Sequence, residues 1–482
     1  MNEEMNSFEE NKVWELINRP KSKNTIGTKW VFKIKRDEHG NIDRFKARLV
    51  IKGFTQQWGV DYNETFSPVV RHSTMRLLFA LAANLNLKIH HLDVTTAFLN
   101  GDLDEEIYVE QPEGVIFSTE DKVLKLKKAV YGLKQAPRCW NVKVHTTLKN
   151  LGYHQSEFES CVYLKRTESA ILIVALYVDD FFLFFNDERE AAILKKHLMS
   201  AFKIKDLGQV KHCSGLRIDI NCENTEIKLS HEKYITNLLV KYRMTDCKPV
   251  NTPSSNTTFN GDSKPFDCKI YQQLIGSLMY LAVTSRPDIT YAVTFLSQFN
   301  VNPTEEHWTS AKRVLRYLKG TADYCLRYQR SDSDVTGYTD ADWASNSPER
   351  KSFSGSVFTL ASGAISWQCK KQRTTALSST EAEYIALSDS VKEAIYLHGL
   401  LQELIWRKGP ICIKIDNQSA QKIALNPVFH NRTTHICRCA LSFSERENSR
   451  RTYHLGLFAH SANDSRYSDE ILASRQTPIL YP

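Results

Sequence analysis

The stretch that decides the fold is ILIVALYVDDFFLFF, residues 171–185. Two adjacent acids, Asp179 and Asp180, separate two apolar runs, Ile171–Leu176 and Phe181–Phe185. Each run has the length and composition of a β-strand, so the pattern predicts a hairpin with both acids at its tip. Adjacent carboxylates repel each other unless a cation neutralises them, and divalent cations prefer oxygen ligands. A solvated Asp-Asp turn is the simpler alternative, because Asp is a common turn residue.

A third acid, Asp93, lies in a second β-like run, LDVTTAFL at residues 92–99. If this acid meets Asp179 and Asp180, the three carboxylates could hold a pair of metal ions. Such a pair stabilises the attacking and the leaving oxygen of a phosphoryl displacement, and a nucleoside triphosphate brings further oxygen ligands to it. The three acids therefore predict the chemistry of a polymerase.

Three motifs together resemble the reverse transcriptase of copia-type long-terminal-repeat retrotransposons. They are YVDD at residues 177–180, LDVTTAFLNGDLDEEIYVEQPEG at 92–114 and YGLKQAPRCW at 131–140. The resemblance implies a right-hand polymerase with fingers, palm and thumb, followed by a ribonuclease H-like α/β domain. It also implies an RNA-directed DNA polymerase that carries two Mg²⁺ ions in each active site. The expected partners are an RNA template, a primer, an RNA–DNA hybrid and deoxynucleoside triphosphates.

The same resemblance implies roles for residues around the nucleotide. Phe98 would be an aromatic gate, since a ring under the sugar leaves no room for a 2′-hydroxyl; the alternative is a core Phe in a β-run. Lys46 and Arg48 are candidates for binding the triphosphate or the template strand. Gly132 and Gln135 would shape the floor of the nucleotide site.

The charge of the chain is modest overall but locally uneven. Its 63 Lys and Arg residues against 55 Asp and Glu residues give a formal charge of +8. Residues 21–52 hold ten of the basic residues and only three acids, with aromatic residues between them. This composition suits a sugar-phosphate backbone with stacked bases. An amphipathic hairpin that turns at Gly40-Asn41 and exposes its lysines is a compatible alternative.

Cysteine usage and hydropathy predict the compartment. Eleven cysteines form no Cys-x-x-Cys pair, and no secretory signal is recognisable at Met1. These features predict a reduced intracellular compartment: the cytoplasm, including virus-like particles there, or the nucleus. Since no uninterrupted apolar segment reaches membrane-spanning length, we expect no membrane partner.

The pattern along the chain predicts four regions. Residues 1–250 would form the fingers and palm, and a thumb or connection would occupy 251–334, beginning with a polar linker. A ribonuclease H-like domain would span 335–436, and 437–482 would be an aberrant, frameshifted tail. Within the second region, a helical stretch carries a row of basic residues that could grip a duplex: Lys312, Arg313, Arg316 and Lys319. The alternative for this row is an ordinary solvated helix face.

A second group of acids lies in the third region. Asp340 and Asp416 each end a predicted strand, and Glu381 falls in the first turn of a predicted helix. Three carboxylates gathered in this way would bind two magnesium ions and cleave a phosphodiester with water. For Glu381 the alternative is a helix-start role beside a Thr380–Glu383 capping box. The motifs GYTDADWA, SSTEAEY and KIDNQSA resemble the ribonuclease H domain that follows reverse transcriptase in this family.

The C-terminal sequence departs from the family pattern. After His435-Ile436 the family continues with an Asp and an amphipathic helix, whereas this chain has Cys437-Arg438-Cys439 and a Ser/Arg-rich segment. The fourth metal-binding acid of the nuclease would then be missing, and the chain would be a fragment of a longer polyprotein or a degenerate genomic copy. Two alternatives follow: a polymerase without nuclease activity, and a catalytically silent nucleic-acid-binding relic.

Overall fold

The computed structural model describes most of the chain. The described residues are 1–21, 23–36, 41–115, 117–118, 120–167, 170–221, 225–255, 259, 263–343, 349–407, 409–425, 456–459 and 480–481. The predicted tail at 437–482 therefore lies almost entirely outside them, and so does the segment 430–436 that precedes it. Among the described helices, none combines the length and the apolar composition needed to cross a bilayer.

The α-helices, in chain order, are α1 Asn2–Glu10, α2 His72–Leu85, α3 Ala136–Asn150, α4 Glu188–Ala201, α5 Glu232–Lys241, α6 Cys268–Thr284, α7 Thr290–Ser297, α8 Glu305–Gly320, α9 Ser379–Ile405 and α10 Gln418–Leu425. Short 3₁₀ helices occupy Gly53–Thr55, Ala97–Asn100 and Pro287–Ile289.

The strands, in chain order, are β1 Trp14–Asn18, β2 Thr25–Ile26, β3 Thr28–Arg36, β4 Ile42–Ile51, β5 Lys88–Val94, β6 Tyr108–Val109, β7 Lys122–Leu126, β8 His154–Gln155, β9 Val162–Arg166, β10 Ile171–Tyr177, β11 Asp180–Phe185, β12 Ile204–Gln209, β13 His212–Cys213, β14 Leu216–Asn221, β15 Glu226–Ser230, β16 Cys325–Gln329, β17 Thr336–Ala341, β18 Phe353–Leu360, β19 Gly363–Lys371, β20 Cys412–Ile415, β21 Gly456–Ala459 and β22 Leu480–Tyr481.

The chain forms two compact units, and each draws on two segments of sequence. Unit 1 consists of residues 1–70 and 88–209, and unit 2 consists of 71–87 and 210–482. This division differs from the predicted boundary near residue 250, because β15 pairs with β16 and thereby joins residues 226–230 to the later helical region. The functional boundaries drawn from the sequence stay predictions.

Unit 1 is built around a six-stranded sheet in the order β12-β5-β11-β10-β9-β8. The apolar runs Ile171–Leu176 and Phe181–Phe185 are buried throughout, so the central hairpin β10–β11 has two covered faces. That burial explains why its sequence is continuously apolar instead of alternating. The hairpin predicted from these runs is confirmed, with Tyr177 opposite Asp180 across the turn.

A smaller sheet of unit 1 has the order β1-β7-β6-β2, and β3–β4 is a separate antiparallel ribbon. The ribbon confirms the predicted basic hairpin; Gly40, the first residue of its predicted Gly40-Asn41 turn, lies outside the described residues. The β-like run at residues 92–99 is confirmed only as far as Val94. Thr96 has a left-handed backbone with φ 59°, and a 3₁₀ helix follows it.

Unit 2 contains a helical part and two sheets. The predicted helical region is confirmed by α6, α7 and α8, which share a buried apolar cluster with α5. One sheet has the order β13-β14-β15-β16-β22 and the other has β19-β18-β17-β20-β21, with β17 parallel to β20. Together with α9 and α10, the second sheet has the predicted order along the chain: strand β17, hairpin β18–β19, helix α9, strand β20 and helix α10.

The basic row on α8 has partners within its own unit. Arg313 donates to the Thr252 hydroxyl at 2.7 Å, Arg316 to the Lys248 carbonyl at 2.7 Å, and Lys319 to the Cys247 carbonyl at 2.7 Å. These three side chains therefore fasten the segment 247–252 to α8. The contacts favour an intrachain role over the predicted grip on a duplex.

Candidate active sites

The turn between β10 and β11 places the first two predicted acids. It is a two-residue turn of Val178 and Asp179, and Val178 has φ 58°, a strained conformation for a β-branched residue. The Trp140 indole N–H donates to the Val178 carbonyl at 2.7 Å, and the Val94 N–H donates to the Asp179 carbonyl at 3.0 Å. The turn is thus fixed from two sides, which offsets the backbone strain.

The third acid lies directly across from this turn. Strand β5 pairs with β11 so that Asp93 is the Cα partner of Asp180. Side chains at such opposed positions have Cβ atoms about 5 Å apart. Asp179 is the residue next to Asp180 in the turn, so the structure places the three predicted acids at neighbouring backbone positions.

The acidic side chains of this site repel one another. Burial, followed by the charge of Asp180, raises the pKa of Asp179 above its ordinary value, and Asp93 contributes in the same direction. The Asp180 carboxylate is hydrogen-bonded to the His91 imidazole at 2.6 Å. A half-buried set of three acids with this repulsion is chemically suited to divalent cations.

Phe98 and Arg48 both contact one ring, that of Tyr131. Phe98 is half-buried in the 3₁₀ helix, and its ring meets Tyr131 edge-on with centroids 4.9 Å apart. The Arg48 guanidinium lies 4.7 Å from the centroid of the same ring. Burial raises the pKa of Tyr131 to about 12, so the phenol is neutral at physiological pH. Tyr131 was missed by reasoning from sequence, although it opens the motif YGLKQAPRCW.

The remaining predicted nucleotide residues have distinct surroundings. Burial, and then the charge of Arg48, lowers the pKa of Lys46. Gly132 has φ 98°, and a Cβ there would lie 2.1 Å from the Ile51 carbonyl oxygen. Gln135 is buried, and its amide N–H donates to the Asp61 carbonyl at 2.8 Å. Gln135 therefore belongs to an internal hydrogen-bond network and not to an open floor.

A second group of acids converges in unit 2. The carboxylates of Asp340, Glu383 and Asp416 offer oxygens that all lie within 4.8 Å of one another. In the part of the chain that the structure describes, this is the one such trio; the acids at 93, 179 and 180 are close in register but do not form one. Burial of Glu383, followed by its hydrogen bond and charge interaction with Asp340, raises the pKa of Glu383 well above its ordinary value.

This trio corrects the prediction of Glu381. The helix α9 has Ser378 as its N-cap, whose hydroxyl accepts the Glu381 N–H, and the Glu381 carboxylate accepts the Leu377 N–H at 2.7 Å. The Thr380–Glu383 capping box is therefore wrong. Two residues further along, the helix has turned by about 200°, so Glu383 faces the sheet while Glu381 does not.

The helical period of α9 contained the signal for Glu383. Glu383 shares a buried face with Leu387, Ser390 and Ala394. The Ser390 hydroxyl donates to the hydroxyl of Thr339, the neighbour of Asp340, at 2.8 Å. An acid on the apolar face of a helix is costly to bury unless it has a function or a partner, and that observation distinguishes the buried Glu383 from the half-buried Glu381.

Comparison with protein families identifies one match over half of the chain. Residues 11–256 match the family described as reverse transcriptase (RNA-dependent DNA polymerase).

Curated relatives come from plant and yeast transposons. The chain is 44% identical over 449 residues to the retrovirus-related Pol polyprotein from transposon TNT 1-94 of Nicotiana tabacum, covering 90% of this chain and 34% of the relative. It is 38% identical to the corresponding polyprotein from transposon RE2 of Arabidopsis thaliana, covering 90% and 30%. The putative transposon Ty5-1 protein of Saccharomyces cerevisiae is 37% identical over 308 residues, 63% of this chain and 100% of that protein. The chain thus spans about a third of the two plant polyproteins.

Among solved structures, a foamy viral protease-reverse transcriptase in complex with an RNA/DNA hybrid has a similar fold. The TM-score is 0.53 at 13% identity, over 95% of this chain and 53% of that one. At this identity the similarity concerns the fold, and it confirms the predicted polymerase architecture.

Proposed function

Because the chain belongs to the reverse transcriptase (RNA-dependent DNA polymerase) family, we propose that it catalyses RNA-directed DNA synthesis as part of a retrotransposon Pol polyprotein. In this reaction a primer 3′-hydroxyl attacks the α-phosphate of a deoxynucleoside triphosphate and pyrophosphate leaves. The observation that carries the proposal is the register of β5 and β11, which sets Asp93 opposite Asp180 beside the Asp179 turn.

The three acids of unit 1 are the residues that would hold a pair of Mg²⁺ ions. When bound, such ions supply positive charge to the attacking and leaving oxygens. The chain itself contributes the rigid turn that aims Asp179 and the hydrogen bond from His91 that orients Asp180. Two metal ions at this site are an expectation that the raised pKa of Asp179 supports, since an uncompensated carboxylate gains most from a cation.

Primer extension on an RNA template with magnesium tests the proposal. We expect the parent chain to extend the primer and the Asp179→Asn variant to lose extension by at least about a hundredfold, as expected for a group on the reacting oxygens. The variant Asp104→Asn removes an exposed acid of the same unit and serves as the matched control. Equal extension by the parent and Asp179→Asn would contradict the assignment of the site.

The proposed partners are an RNA template, a DNA primer and deoxynucleoside triphosphates. The basic ribbon β3–β4 supports this proposal, because its lysines and exposed aromatics such as Phe32 and Phe45 suit a phosphate backbone and stacked bases. The rival function, a catalytically silent nucleic-acid-binding relic, also predicts binding of primer-template, but it predicts no incorporation of nucleotides. Salt-sensitive binding of primer-template without extension would favour that rival. The location of the protein, in the cytoplasm, in virus-like particles there or in the nucleus, stays a prediction.

A second proposed activity is cleavage of the RNA strand of an RNA–DNA hybrid. The convergence of Asp340, Glu383 and Asp416 supports it, because three clustered carboxylates suit a magnesium-assisted attack by water on a phosphodiester. The segment that would carry a fourth acid lies outside the described residues, so a competent nuclease and an impaired one are both proposed states of this site. Degradation of labelled RNA within a hybrid, with the free RNA as control, separates the two.

A further inference from the structure

The helix α1 lies before residues 11–256, the part of the chain that matches the family, yet it is built into unit 1. Phe8 is 1% exposed and belongs to the same buried cluster as Leu49 and Ile51 of β4. Met5 is buried as well. The helix is therefore anchored firmly enough to place its polar side chains at defined positions.

One of those side chains, Glu4, accepts a backbone hydrogen bond at one edge of the β3–β4 ribbon. Along β4 the Ile51 N–H donates to the Tyr131 carbonyl at 2.8 Å, so that backbone group is satisfied from outside the ribbon. Two residues earlier, on the same edge, the Leu49 N–H donates to the Glu4 carboxylate at 3.2 Å. A side chain of α1 thus takes the place that a neighbouring strand would take beside Leu49.

The position of Glu4 also links it to the nucleotide residues. Leu49 follows Arg48 directly, and the Arg48 guanidinium lies over the Tyr131 ring that Phe98 contacts. Burial raises the pKa of Glu4, while the Leu49 N–H, Arg48 and Lys46 act in the opposite direction. Glu4 therefore lies close to Arg48 and Lys46, the two basic side chains that are candidates for binding the triphosphate.

We propose that Glu4 is a positioning residue for nucleotide binding: by fixing the backbone at Leu49 it holds Arg48 over Tyr131, behind Phe98. The inference rests on the proposed polymerase function and extends it to an element outside the family match. Glu4 touches no reacting atom in this scheme and acts through Arg48. Its loss should therefore weaken binding of the deoxynucleotide more than it slows the chemical step.

Steady-state primer extension with the full chain tests the inference. We expect Glu4→Ala to raise the KM for the deoxynucleotide about tenfold, the effect of losing one hydrogen bond to a charged acceptor. The kcat and the Kd for primer-template should stay within about twofold. Glu4→Gln keeps an oxygen acceptor for the Leu49 N–H, so its KM should stay near that of the parent. Glu3→Ala, an exposed acid on the same helix, is the matched control.

The outcomes separate this inference from the proposed function. If the parent extends primers and Glu4→Ala has an unchanged KM, or loses only kcat, the inference is overturned while the polymerase assignment stands. If the parent does not extend primers, titration of a deoxynucleotide with magnesium into the same variants decides: equal Kd values overturn the role of Glu4. Should Glu4→Ala unfold, Glu4→Asp, which keeps the charge but shortens the reach, must show the raised KM.

Discussion

At the scale of single residues, two acids two positions apart on α9 have opposite environments. Glu383 is 6% exposed and faces Asp340, whereas Glu381 is bonded to the Leu377 N–H at the start of the helix. In a parent chain that cleaves the RNA strand of a hybrid, we expect Glu383→Gln to abolish that cleavage and Glu381→Gln to retain most of it. Hybrid degradation with magnesium measures both variants. Equal loss in the two variants would contradict the assignment of Glu383.

Phe98 gives a second prediction at this scale. Its ring packs against Tyr131, and in the proposed role it closes the space that a ribose 2′-hydroxyl would need. We expect Phe98→Ala to raise incorporation of ribonucleotides relative to deoxynucleotides by at least about tenfold, since the excluded hydroxyl gains room. Competition between the two nucleotide types in primer extension measures the ratio. Phe66→Ala, which removes an exposed ring of the same unit, should leave the ratio unchanged.

His231 makes the stability of unit 2 depend on pH. Burial, with smaller contributions from His72 and Arg286, lowers its pKa from 6.5 to about 4. Tyr280 donates its hydroxyl proton to the Ser214 carbonyl, so the Tyr280 oxygen accepts from the His231 Nε2–H at 3.0 Å. Because its pKa is lowered, the imidazole is neutral at pH 7.

The unfolded chain therefore binds more protons than the folded chain between pH 6.5 and about 4, and stability falls as pH falls through that range. The loss attributable to His231 is about 3 kcal/mol at most. Urea unfolding at pH 7 and pH 4.5 measures it, and we expect a smaller pH dependence in His231→Gln. The same pH dependence in both chains would rule out this contribution.

The residues of the two sites differ in how far the sequence could predict them. Asp93, Asp179 and Asp180 interrupt or end apolar strands, and a strand pattern fixes where such residues lie. No strand pattern separates Glu383 from its neighbour Glu381; only the helical spacing of Glu383 with Leu387, Ser390 and Ala394 does, and the predicted helix start at Thr380 favoured Glu381 instead. The structure sets that start at Ser378, two residues before the predicted Thr380.

At the scale of elements, the junction between β4 and the segment after β7 depends on a glycine. Gly132 has φ 98°, and an added Cβ would lie 2.1 Å from the Ile51 carbonyl oxygen. Gly152 has φ 82° but no atom within 4 Å of an added Cβ. We expect Gly152→Ala to cost about 1 kcal/mol from backbone strain alone and Gly132→Ala to cost several times more. Urea unfolding of both variants tests this, and similar losses would contradict a steric role at Gly132.

Elements with a strong periodic pattern were predicted well, and irregular ones were not. The hairpins β3–β4 and β10–β11 and the helices α6 to α8 follow from alternating or helical apolar patterns. The 3₁₀ helix that carries Phe98 begins after Thr96 with a left-handed φ. A threonine does not favour that conformation, so tertiary contacts and not local propensity determine it.

At the scale of the whole molecule, the two acidic sites lie in different units of one chain. Asp179 belongs to unit 1, and Asp340, Glu383 and Asp416 belong to unit 2. In a parent chain with both activities, we expect Asp179→Asn to lose primer extension while it retains hybrid cleavage, and Glu383→Gln to show the reverse. Both assays on both variants form the measurement. Loss of both activities in either variant would indicate that the two sites do not act independently.

The route of the chain through the two units matters for anyone who shortens the protein. Residues 71–87 belong to unit 2, although the chain on either side of them belongs to unit 1. In this stretch α2 buries Leu77, Leu78, Phe79 and Leu81 completely or nearly so. A recombinant piece that ends near residue 209 would retain this helix without the residues that cover it. Such a piece should precipitate or recruit chaperones during expression, because a helix with an exposed apolar surface associates with other chains in water.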